Sequence, residues 1–148
     1  MFGVGVKVFE STSGEAAQVF RKIEAFNMEH VRGAKLPYFH SLKFVAKDNT
    51  GKVLGGVMGD VVFGLYLTVY VLWVDEEYRK DGIGTILMKK LEQSAKERGA
   101  TFSQVDTFDF QAKGFYEKIG YELFGTLEDA PSEGHKRYYL KKRFVKAK

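Results

Sequence analysis

The densest apolar run in the chain, Leu65 to Val74, is continuous and rich in β-formers, as expected of a strand covered on both faces of its sheet. Before it, Phe39 to Lys47 alternates, with Leu42, Phe44 and Ala46 facing one way. The turn cluster Asp48-Asn49-Thr50-Gly51 then leads into Lys52 to Phe63, which predicts a hairpin closed by Gly64. After the run, roughly Ile83 to Arg98 has helical spacing, with Ile83, Ile86, Leu87, Leu91 and Ala95 on one face. Lys89, Lys90, Glu92, Gln93, Lys96 and Glu97 fall elsewhere, and Gly99 is placed to end the helix.

The flanks read less sharply. Val4 to Phe9 predicts a first strand. A helix should open near Ser13, with Ser11 and Thr12 as alternative caps, and carry Ala16, Val19, Phe20, Ile23 and Phe26 on its apolar side. Downstream, Phe102 to Asp106 predicts a strand, and Gln111 to Ile119 a short helix stopped by Gly120. Tyr121 to Thr126 and Lys136 to Phe144 predict two further strands around a loop containing Pro131. The order β-α-β-β-β-α-β-α-β-β describes an α/β chain of the mixed, α+β-like kind, with helices packed on a mixed sheet in a single domain over residues 1–148.

Composition narrows the chemistry more than the fold. The 148 residues include no cysteine, which excludes disulfides, thiolate nucleophiles and cysteine metal sites. His30, His40 and His135 lie far apart without metal-ligand spacing. Hydrophobic residues at 45% and charged residues at 28% describe a soluble globular protein, expected in the cytoplasm. The N-terminus shows no secretory pattern, and the apolar run is too short and too β-prone to predict a membrane helix. The net charge of +4 suits an anionic ligand without requiring one.

The chemistry concentrates in Tyr78-Arg79-Lys80-Asp81-Gly82-Ile83-Gly84-Thr85, where a strand turns into a helix. The first amides of a helix lack internal partners, and its dipole points its positive end outward, which together favour a phosphate. The spacing lacks the lysine–threonine ending of a nucleotide triphosphate loop. It also lacks the third glycine of the dinucleotide fingerprint, although Asp106 imitates that fingerprint's acidic residue.

The run LWVDEEYRKDGIGTILMKKLE resembles the acyl-coenzyme A motif of the GNAT family of N-acetyltransferases, with Arg79, Gly82 and Gly84 in its landmark positions. The later run FQAKGFYEKIGYE resembles that family's second landmark through Phe115, Tyr116, Gly120 and Tyr121. Together they cover about residues 50–127. The resemblance implies a mixed, mostly antiparallel central sheet flanked by helices, and acetyl-CoA as acyl donor. It implies that the backbones of Leu72, Trp73 and Val74 pair with the pantetheine arm; the side chains of Leu72 and Trp73 themselves read as core packing. Arg79, Lys80, Asp81, Gly82, Ile83, Gly84 and Thr85 would hold the pyrophosphate, and Tyr116 would act as general acid toward the leaving thiolate. It also implies direct attack without a covalent enzyme intermediate, and a homodimer is a common arrangement in that family.

No base is assigned. Asp60, Asp106 and Asp109 are the acidic candidates, with a water chain through Tyr66 or Tyr70 as an alternative, and Asp75, Glu76 and Glu77 read as a solvated edge. The acceptor is expected to be a primary amine of a small molecule. The resemblance implies an acceptor side built from the first third of the chain, where Phe26, Asn27, His30, Tyr38, Phe39 and His40 are candidates that, with Asp106 and Asp109, would suit a cationic amine. A protein lysine or N-terminal amine is the competing acceptor, and a non-catalytic acyl-CoA-binding module the competing role. The basic positions Lys136, Arg137, Lys141, Lys142 and Arg143 alternate along a strand and its end, which reads as a solvated face rather than a nucleic-acid site.

Overall fold

The computed structural model describes residues 3–145, which fall into two compact units meeting between Gly33 and Ala34. The first unit holds helix α1, Ser13–His30. Thr12 is its cap: its side chain accepts from the Glu15 amide at 3.1 Å, and the Thr12 amide donates to Glu15 Oε1 at 2.9 Å. This reciprocal box satisfies two donors that a bare helix start would leave open. The strand expected over Val4 to Phe9 does not form. Its alternation is adequate, but a strand exists only through a ladder partner, and the segment has none among the described residues.

The second unit is a six-stranded sheet with two helices. The strands are β1 (Phe39–Lys47), β2 (Val53–Val62), β3 (Tyr66–Val74), β4 (Phe102–Phe108), β5 (Glu122–Glu128) and β6 (Lys136–Arg143), ordered β1-β2-β3-β4-β6-β5. Only β3 and β4 run parallel; the other pairings are antiparallel. Helix α2 (Ile83–Glu97) makes the crossover between β3 and β4, and the short helix α3 (Lys113–Lys118) follows β4. The sheet is therefore mixed and mostly antiparallel, as the strand patterns and the resemblance imply. No helix among the described residues is long and apolar enough to cross a membrane.

The core lies between α2 and one face of the sheet. Val57, Val61, Leu67, Val69, Val105 and Leu140 meet Leu87, Met88, Leu91 and Ala95 there. Gly59 shows how close the layers come: a Cβ there would lie 2.7 Å from the Thr68 carbonyl oxygen and 3.4 Å from a Leu91 methyl. The buried stripe of α2 differs from expectation in two places. Ile86 is 64% exposed, because at 100° per residue it lies about 100° from Leu87, about 140° from Leu91 and opposite Ala95. Glu92, expected outside, is buried, because Lys142 Nζ donates to its Oε1 at 2.8 Å and the Tyr121 hydroxyl to its Oε2 at 2.9 Å. Its charge enters the core with both partners supplied.

Candidate active site

Strands β3 and β4 pair over only three positions, ending at Val69 opposite Val105. Beyond that point β3 stays on β2 as far as Val74, opposite Gly55, while β4 stays on β6 as far as Phe108, opposite Arg137. Each strand follows its outer neighbour, so a wedge opens between them. The inner backbone edges of Tyr70–Val74 and Asp106–Phe108 lack each other's hydrogen bonds. Buried backbone polar groups are otherwise almost always paired, so this wedge suits a ligand that offers amides of its own.

A turn at the end of β3 delivers the chain to the start of α2. Glu76–Tyr78 forms a 3-10 turn, and Gly82 caps α2 with φ 77°, a left-handed conformation natural to glycine. Within the turn the Arg79 amide donates to Glu76 O and the Asp81 amide to Tyr78 O. The first helical bond runs from the Ile86 amide to Gly82 O, so the amides of Ile83, Gly84 and Thr85 precede the ladder. A Cβ on Gly82 would meet nothing within 4 Å. The space in front of that backbone is open, which is what close approach of a pyrophosphate requires. The residues present therefore fit an acyl-CoA: a wedge for its amide-bearing arm, and a glycine-fronted helix start for its phosphates.

Arg79 turns its side chain away from that helix start. Its Nε donates to Val74 O at 2.9 Å, and its guanidinium carbon sits 4.5 Å from the centroid of the Trp73 ring. The side chain thus fastens the turn to the end of β3. Trp73 corrects an expectation: its side chain is 58% exposed, not core, lying under Arg79 with Nε1 3.4 Å from Asp75 Oδ1. Leu72 does pack against the core, and Val74 belongs to it. Lys80 and Asp81 lie in the turn between the 3-10 segment and Gly82.

The two sequence landmarks touch. A Cβ on Gly84 would stand 3.3 Å from two atoms of the Phe115 ring. Gly84 is thus small because α3 packs on the start of α2, and this packing fixes the helix that carries Tyr116. The Tyr116 ring is buried, edge-on to Phe115 at 5.4 Å and to Tyr121 at 5.7 Å. Burial, then the charge of Asp106, push its phenol up to about 12. Its hydroxyl has no hydrogen-bond partner among the described residues, yet is not sealed from solvent. Tyr121 contrasts with it. Its hydroxyl is committed to Glu92 and to Ser103 Oγ at 2.8 Å, and burial followed by the Glu92 charge raises its pKa. Of the two tyrosines, Tyr116 alone has a proton to offer a ligand.

The acidic candidates separate by their partners. Arg137 grips one oxygen of Asp106 through Nε at 3.0 Å and Nη2 at 2.8 Å. His135 Nδ1 lies 3.1 Å from Asp109 Oδ1. Asp60 instead accepts the Tyr70 hydroxyl at 2.7 Å. This pairing spans two strands and was beyond the reach of the sequence pattern. Of the expected acceptor residues, Phe26, Asn27 and His30 lie on α1, where Phe26 and His30 stack at 4.2 Å. In the second unit Tyr38 packs edge-on against Phe39 at 4.6 Å, and His40 lies on β1.

Comparison with known proteins places this geometry. The model of the acetyltransferase (GNAT) family matches residues 14–121. A blasticidin-S acetyltransferase of Streptomyces morookaense is 43% identical over 82 residues, which are 55% of this chain and 60% of that protein. The chain thus spans less than two thirds of that relative's length. Acetyltransferase Atu2258 of Agrobacterium fabrum is 32% identical over 103 residues, covering 70% of this chain and 74% of that one. The crystal structure of an acetyltransferase from Bacillus cereus ATCC 14579 superposes with a TM-score of 0.84 at 36% identity, over 94% of this chain and 98% of that one. With its wedge, glycine-fronted helix start and second landmark in contact, the chain belongs to the GNAT family of acetyltransferases.

Proposed function

We propose that this acetyltransferase moves the acetyl group of acetyl-CoA to a primary amine of a small molecule by direct attack. The observation that carries the reading is the parting of β3 and β4 beside a helix start whose amides are unengaged. The backbones of Leu72, Trp73 and Val74 would pair with the pantetheine arm. The amides of Gly82, Ile83, Gly84 and Thr85 would hold the pyrophosphate, with the charge of Lys80 nearby and the turn Arg79–Asp81 setting their direction. Charge-assisted hydrogen bonds contribute about 1.5–3 kcal/mol each, and the helix dipole about 0.3–1 kcal/mol, so the amides dominate.

The donor supplies a thioester, whose acetyl carbon is already activated toward an amine. Tyr116 handles the sulfur. A phenol near 12 facing a thiol near the free-cysteine value of about 8.5 makes complete proton transfer uphill by about 5 kcal/mol. The role of Tyr116 is therefore to donate a hydrogen bond to the sulfur as charge develops, releasing its proton only as another reaches it. Phe115 and Tyr121 hold the ring in place.

The name of the blasticidin-S acetyltransferase relative supports a small-molecule amine as acceptor. A cytoplasmic homodimer belongs to the same reading; light scattering on the purified protein tests the dimer. The function is tested by thiol release from acetyl-CoA across a panel of amines that includes blasticidin S, aminoglycosides and lysine peptides. Release with a small amine, with the amide recovered as product, is the expected result. Release with peptides alone moves the acceptor to protein, and tight acetyl-CoA binding without release on any amine leaves a binding module.

A further inference from the structure

Asp60 occupies a particular place in the sheet. A Cβ on Gly59 would face Leu91 of α2, so its neighbour Asp60 projects from the opposite face. On that face Ser41, Asp60, Thr68 and Gln104 form one row in register across β1, β2, β3 and β4. Between β2 and β3 the register slips: Met58 faces Val71 and Gly59 faces Val69, leaving Tyr70 as a bulged residue without a partner. Val69 is also the last residue of β3 that pairs with β4. The bulge therefore sits at the apex of the wedge, where extra twist re-aims the Tyr70 side chain across to β2. There its hydroxyl meets Asp60 Oδ1 at 2.7 Å.

Of the three acidic candidates, Asp106 is paired with Arg137, and Asp109 has His135 beside it. Asp60 has no cation within ion-pair distance among the described residues, and its second oxygen has no partner among them. The ionisable groups sharing its face are Lys43 and Lys47 on β1, Tyr66 and Tyr70 on β3, Asp106 on β4, Arg137, Tyr139, Lys141 and Arg143 on β6, and Glu122 on β5. Burial and then the bond to Asp60 hold the Tyr70 phenol above its ordinary range, so it stays a donor at neutral pH.

We propose that Asp60, positioned by Tyr70 at the apex of the wedge, is the carboxylate that pairs with the acceptor's ammonium group and receives its proton. The proposal rests on the acetyl-transfer reading and names the residue that reading leaves open. The ammonium first loses one proton to solvent through Asp60. The nitrogen lone pair forms the N–C bond as the C–S bond breaks, and its electron pair leaves with sulfur. The second nitrogen proton goes to Asp60, and the thiolate takes the Tyr116 proton, which solvent and Asp60 restore. The sum is one amide, one thiol and one proton released.

The test compares wild type, Asp60→Asn and Tyr70→Phe on whichever panel amine the wild type acetylates, as kcat/KM against pH, alongside acetyl-CoA affinity and Tm. A free alkylamine has pKa about 10.4, so only about four in ten thousand are neutral at pH 7. Asp60→Asn is expected to lose at least about 100-fold at pH 7 and to recover to within about 10-fold at pH 10, where about a quarter of the free amine is already neutral. Acetyl-CoA affinity should not change. Tyr70→Phe should chiefly raise the amine KM. A deficit in Asp60→Asn that is uniform across pH, or a wild-type rate, overturns the assignment while leaving acetyl transfer intact. A wild type that binds acetyl-CoA but acetylates no amine overturns both.

Discussion

Replacing Tyr116 by Phe removes one oxygen from a side chain that is 5% exposed. The ring contacts to Phe115 and Tyr121 survive, and the hydroxyl has no internal partner to lose. The variant's folding free energy should therefore stay within about 0.5 kcal/mol of wild type. On the proposed role, what is lost is one hydrogen bond to a developing thiolate, about 1.5–3 kcal/mol, which would lower kcat about 10- to 150-fold. Tyr121→Phe inverts the pattern. It strips a donor from buried Glu92 and a partner from buried Ser103, which should cost about 1–3 kcal/mol of stability while leaving kcat nearly unchanged. Thiol release from acetyl-CoA reads the first quantity, and urea unfolding followed by fluorescence reads the second. A wild-type kcat in Tyr116→Phe refutes the argument, as does a loss of stability in that variant equal to the loss in Tyr121→Phe.

Other outcomes follow from the same contacts. With Tyr116 held near 12, the pH profile of kcat should show no alkaline fall assignable to it below about pH 11; a Tyr116-dependent limb near pH 9 would contradict that. The folded values of Tyr116 and Tyr121 are both raised, so their contribution to folding is complete below about pH 10 and is lost as pH rises through those values. Stability of Tyr116→Phe should accordingly fall less steeply above pH 10 than that of wild type, as urea midpoints would register. Lys142→Ala leaves the Glu92 charge buried without its cation and should cost about 3 kcal/mol. Lys141→Ala breaks only an exposed 3.7 Å pair with Glu122 and should cost less than about 1 kcal/mol; equal unfolding midpoints would refute the distinction.

Much of the second unit is legible in the sequence because its elements carry strong local signals. The turn at Asp48–Gly51, the apolar run that becomes Tyr66–Val74, and the glycines at both ends of α2 each state their structure within a few residues. Val4 to Phe9 shows the limit of that reasoning: alternation describes a strand but does not supply its partner. Glu92 shows another, since only a tertiary contact fifty residues away explains a carboxylate in the core.

The site divides in the same way. Gly82 and Gly84 stand out by their place where a strand turns into a helix, Arg79 and Tyr116 through the resemblance to the GNAT family, and the contact of Gly84 with Phe115 gives a physical reason for two landmarks about thirty residues apart. The pairing of Tyr70 with Asp60 depends on a one-residue slip between two strands, which hydrophobic alternation does not encode. Likewise, the acids before and after the β4 end look alike as sequence. Arg137 and His135 become distinguishing partners only once β6 lies beside β4.

The helix start at Gly82 is proposed to hold the donor's pyrophosphate, and titration calorimetry of acetyl-CoA against wild type and Gly82→Val addresses this directly. Valine at φ 77° is strained, and its side chain would occupy the open space in front of the amides. The expected result is a folded variant that binds acetyl-CoA at least about 10-fold more weakly, the loss of about one charge-assisted hydrogen bond. An unchanged affinity in a folded Gly82→Val protein would contradict the account.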